Sequence, residues 1–94
     1  MNSEELIRAG QAAKALLESD DFKIGLKAVR DMAQENWTKT EPAQVKEREE
    51  FYYLILATNV LEQHFRSLAE SGRFEQRKVV KAEEASRAAN QGEE

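Results

Sequence analysis

Phe51-Tyr52-Tyr53-Leu54-Ile55-Leu56-Ala57-Thr58-Asn59-Val60-Leu61 is the stretch whose reading decides the fold. Nine of these eleven residues are apolar or aromatic, in a chain that is 34% charged, so the remaining chain is expected to cover them. Aromatic and β-branched content alone would allow a buried strand. Two observations decide for helix. The apolar pattern continues through Phe65, Leu68 and Ala69 at helical spacing, and no turn signal falls between Pro42 and Gly72. A second strand candidate to pair with the stretch is also lacking.

At 100° per residue, Phe51, Leu54, Thr58, Leu61, Phe65, Leu68 and Ala69 form one stripe. Tyr53, Leu56, Ala57, Val60 and His64 form a second stripe beside it. Together they cover roughly 220° of the helix, whereas a surface helix needs an apolar face of about 100°. The polar remainder is Asn59, Glu62, Gln63 and Arg66, interrupted by Tyr52 and Ile55. Such a helix calls for at least two neighbours.

Working outward, the helix is expected over about 42–71. Pro42 lies in or just before its first turn, where a missing N–H costs nothing. Gly72 stands at the position of a left-handed C-cap, with Phe74 placed to fold back on Leu68. The loop Thr38-Lys39-Thr40-Glu41-Pro42 is short enough to make the flanking helices antiparallel neighbours. Before it, Phe22, Leu26, Val29, Ala33 and Trp37 form a narrow amphipathic stripe on a helix over about 21–38. Gly25 weakens that helix by about 1 kcal/mol relative to Ala.

Ser19-Asp20-Asp21 breaks the pattern and supplies fresh caps. A first helix over about 4–18, capped by Ser3, presents a small-residue face of Gly10, Ala13, Ala9 and Ala12 with Leu6, Leu16 and Leu17. That face suits close approach to a neighbour. Measured from the loop, the second helix reaches back to about Asn59, so Val60–Ala69 needs other cover. The first helix could continue past the break, giving a long kinked hairpin, or fold back into a three-helix bundle. The hairpin, which leaves the second stripe bare for self-association or a partner, is favoured.

The expected architecture is therefore all-α, a long antiparallel helical hairpin with an additional N-terminal helix. The helical domain covers 1–74, and 75–94 is a charged, disordered or frayed tail.

Composition sets limits on function. A chain of 94 residues holds at most one domain, and burial at this size is modest. The absence of cysteine removes disulfide and thiolate-metal chemistry. The N-terminal residues lack the basic-then-apolar plan of a secretory signal, and the apolar runs fall well short of the ~20 residues needed to cross a bilayer. A soluble, cytoplasmic protein with no membrane association is expected. A net charge of −4 without a basic block disfavours nucleic acid as a partner. The one basic cluster, Arg73, Arg77, Lys78 and Lys81, is interleaved with Glu75, Glu83 and Glu84. It is read first as a solvated surface and second as a contact for phosphates or an acidic protein.

His64, the single histidine, lacks companions at ligand spacing, since Leu61 stands where a Glu-x-x-His pair would need its carboxylate. Glu47, Glu49 and Glu50 are read as a solvated first turn rather than an acid–base cluster. Tyr52, Tyr53 and Trp37 could stack on bases, but the basic groove that accompanies such platforms is missing. No catalytic, cofactor or metal site is expected. The residues expected to carry core and interface contacts are Trp37, Phe51, Tyr53, Leu54, Leu56, Val60, Leu61, Phe65 and Leu68.

Trp37-x-x-Thr40, followed by Arg48-Glu49 and Phe51-Tyr52, resembles a family of short, uncharacterised helical proteins of tailed bacteriophages and prophages, over about residues 12–75. The resemblance implies a phage setting and no enzymatic activity. On physical grounds Trp37 would plug the loop end, and Arg48 and Glu49 would either hold the loop through ion pairs or carbonyl contacts or stand as surface charges. The function expected is a non-enzymatic interaction and assembly module, a structural, scaffolding or adaptor component acting as a homo-oligomer or with another protein. A small-terminase-like packaging or regulatory accessory, or a small inhibitor of a host protein, is the alternative.

Overall fold

The computed structural model describes residues 1–92. It contains three helices, α1 (Ser3–Glu18), α2 (Asp20–Thr38) and α3 (Val45–Gly92), and no strand among the described residues. The N-cap of α1 is Asn2 rather than Ser3: its Oδ1 accepts the Glu5 N–H at 2.8 Å, and Glu4 and Glu5 occupy the positive end of the helix dipole. Ser3, one residue further on, is released to donate its hydroxyl to Glu75 on α3.

The break between α1 and α2 is a single residue. Ser19 is extended, with φ −68° and ψ 126°; its N–H closes α1 on the Leu16 carbonyl at 3.1 Å, and its Oγ accepts the Phe22 N–H that opens α2. One serine therefore serves as C-cap and N-cap, and the two helices run almost end to end. Both pack antiparallel along α3 while touching each other little. Ser3 meets Glu75, Gly10 meets Gly72, Phe22 meets Phe65, and Arg30 meets Thr58 and Glu62. This is the long kinked hairpin, not the folded-back bundle. The radius of gyration is 21.3 Å, against about 12 Å for a compact chain of this length.

The inner positions of α3 are Phe51, Ile55, Thr58, Glu62, Phe65, Ala69 and Gly72, alternating four and three residues apart. On α2 they are Phe22, Leu26, Val29, Ala33 and Asn36, with the same alternation. A repeat of 3.5 residues is that of helices wound about each other. Only Ala13, Ala33, Ala69, Thr58, Gly10 and Gly72 are buried, and no large side chain is fully buried among the described residues. A two-layer rod covers each seam from one side only.

Further expectations need correction. First, α2 reaches Phe65 rather than Asn59, because α3 begins at Val45 and its pairing with α2 starts near Arg48. Second, Pro42 and Ala43 form a turn outside the helix, closed by the Gln44 N–H on the Glu41 carbonyl at 2.9 Å. Third, Gly72 is no stop. A Cβ built on Gly10 would lie 2.7 Å from the Gly72 Cα, and one on Gly72 would lie 2.8 Å from the Gly10 Cα. Gly72 is thus a contact residue in mid-helix, and α3 runs through it without a left-handed residue. Fourth, Phe74 does not fold back on Leu68; it points outward, with the Lys78 ammonium 5.7 Å from its ring centre.

The segment read as a tail from residue 75 is helical to Gly92, where its character divides. Glu75 and Val79 are still half-buried against α1, whereas every side chain from Lys81 to Gln91 is exposed. This last part is a lone helix beyond the hairpin, prone to fraying because nothing packs on it. Residues 93 and 94 of the expected tail lie outside the described residues.

Candidate interaction surface

Two features stand out along the rod, the loop clasp at one end and the outer face of α3. In the clasp, the Trp37 carbonyl accepts the Thr40 N–H at 3.1 Å and the Thr40 hydroxyl at 2.6 Å. Arg48, from the first turn of α3, donates Nη1 to Thr40 Oγ1 at 3.0 Å and to the Thr40 carbonyl at 3.3 Å. Its guanidinium lies 4.2 Å from the Trp37 ring centre. The planar cation stacks on the indole and binds the loop backbone at once, a combination that arginine's fork permits and an ammonium does not. Trp37 thus packs under Arg48 at the loop end and keeps 37% of its surface exposed, while Asn36 takes the inner position. Glu49 points to solvent.

A polar seam crosses the middle of the hairpin. Arg30 of α2 donates Nε to Thr58 Oγ1 at 3.3 Å and Nη2 to Glu62 at 2.5 Å, while Thr58 donates to the Ile55 carbonyl at 2.7 Å. Arg66 reaches the other Glu62 oxygen at 2.9 Å. Hydrogen bonds from Arg30 and then Arg66 hold the Glu62 carboxyl below the usual glutamate range, against a smaller opposing push from burial. Hydropathy alone puts Leu61 on the inner stripe and Glu62 on the wet arc. The structure exchanges them, leaving Leu61 45% exposed, because Arg30 supplies a partner that the local pattern does not reveal.

Of the apolar residues singled out in the sequence, Phe51, Leu54, Phe65 and Leu68 are half-buried along the hairpin seam. Tyr53, Leu56 and Val60 face away from it and are 59%, 44% and 61% exposed. They succeed one another at three and four residues on the side of α3 opposite Thr58. Tyr52 flanks them, its ring edge-on to Tyr53 with centroids 5.8 Å apart. Among the basic residues, Arg73, Arg77 and Lys81 follow one another at four-residue spacing and share a strip of α3, with Glu70 and Glu84 close to its two ends. Lys78 lies on another side, 3.6 Å from Glu75.

No helix among the described residues is long and apolar enough to cross a membrane. Comparison with protein-family models, curated proteins and solved structures finds no match for this chain.

Proposed function

We propose that this chain is a non-enzymatic helical assembly module that binds protein through the outer face of α3. The observation that carries this reading is the stripe Tyr53, Leu56 and Val60, an aromatic–aliphatic row exposed on the middle of a rod whose opposite face is already occupied. Solvent-facing apolar residues scattered singly need no explanation, but a row aligned at helical spacing is the signature of a helix-packing face. The resemblance of Trp37-x-x-Thr40 and Arg48-Glu49 to short bacteriophage proteins supports a structural, scaffolding or adaptor role, exercised in the host cytoplasm or the virion. Many copies of a small rod would act together there.

Light scattering across a concentration series tests the reading. A mass above that of one chain, reduced by Val60→Lys, is the expected result. A strictly monomeric particle at every concentration would sink it.

A further inference from the structure

We infer that the partner on the outer face of α3 is a second copy of this chain, docked antiparallel about a two-fold axis passing between Leu56 and Ala57. The inference rests on the assembly reading above and adds to it the identity and direction of the partner.

Surface area gives the first argument. The chain exposes 7327 Å² at a mass of 10.7 kDa, where a compact monomer of that mass exposes about 5500 Å². The difference, roughly 1800 Å², exceeds the ~800 Å² per partner that a standard interface buries. Part of it belongs to the projecting end of α3, but the exposed large apolar side chains Tyr52, Tyr53, Leu56, Val60 and Leu61 all fall within one short stretch of that helix.

The order of residues gives the second argument. The stripe is centred between Leu56 and Ala57, with Tyr53 and Val60 equally far from that midpoint. An antiparallel two-fold pairing therefore sets Tyr53 of one copy against Val60 of the other, twice. Ala57, next to the axis, has only a methyl group there and lets the helices approach.

The flanking groups decide the direction. Glu49 lies one turn before Tyr53, and His64 lies one turn after Val60. Antiparallel pairing brings the imidazole of each copy to the carboxylates of Glu49 and Glu50 on the other, an N–H donor against acceptors. Parallel pairing would set Glu49 against Glu49 and Glu50 against Glu50, like charges at the register where antiparallel pairing places an imidazole.

The chain has no cysteine, so single cysteines report the geometry directly. Glu49→Cys and His64→Cys chains, mixed and gently oxidised, should give the mixed disulfide in clear excess over either self-pair. Native mass spectrometry of the natural chain should give a dimer, with a dissociation constant raised about tenfold or more by Val60→Lys. Circular dichroism should show the helix content of that variant unchanged. A Glu49→Cys self-disulfide in excess would overturn the antiparallel pairing while leaving the assembly reading standing, whereas a dimer indifferent to Val60→Lys would place the contact off the stripe and overturn both. A monomer with no disulfide in any mixture would overturn both.

Discussion

Gly10 and Gly72 each explain why the other is a glycine. Their α-carbons meet where α1 crosses α3, and a methyl group on either would enter the other's backbone. Gly10→Ala or Gly72→Ala should therefore lower stability by about 1–3 kcal/mol, because overpacking outweighs the gain in helix propensity. Gly25 is the control, with nothing within 4 Å of a built Cβ. Gly25→Ala should raise stability by about 0.5–1 kcal/mol, and urea unfolding of the three variants checks the contrast.

Glu62 gives a pH signature. Its carboxyl is held below its unfolded value by Arg30 and Arg66, so its contribution is complete above about pH 4.3 and is lost as pH falls through the lower folded value. Glu62→Gln should be less stable than the natural chain at pH 7, and the difference should be smaller at pH 3. Denaturant midpoints at the two pH values measure this. Neither residue was legible from its own neighbourhood. Gly72 carries the mark of a helix end, and Glu62 that of a wet face, until the helix opposite is known.

At the scale of elements, the inner face of α2 as far as Ala33, the contact of α1 through Gly10 and Ala13, and the cap at Ser19 all follow from local pattern, and the structure keeps them. The length of α3 does not follow. Past Gly72 the periodic apolar signal fades to Val79, yet α1 still lies alongside, with the Ser3 hydroxyl on Glu75. Tertiary contact extends a helix that sequence spacing would end. Beyond Lys81 that support is gone and only the propensity of residues such as Ala, Glu, Arg and Gln remains. Deleting residues 82–94 should leave the thermal midpoint within about 1–2 °C, since exposed positions contribute little, while lowering total helical ellipticity. A large fall in the midpoint would show that this end packs on something.

The whole molecule is a rod of 78 × 24 × 16 Å in which one unbroken helix backs two shorter ones. The proposed interaction face was legible in part. Tyr53, Leu56 and Val60 were separable from the seam by helical rotation alone, whereas the shape that leaves them bare depended on α1 continuing past Ser19 rather than folding back. That junction has a further consequence. Because α1 and α2 scarcely touch and each grips α3 by its own contacts, the covalent link at Ser19 holds together pieces that α3 already splints. A chain nicked there through an engineered protease site should still run as one particle in gel filtration and shed its first eighteen residues only in denaturant. Ser19 is then a tether whose loss the contacts of α1 with α3 would bridge.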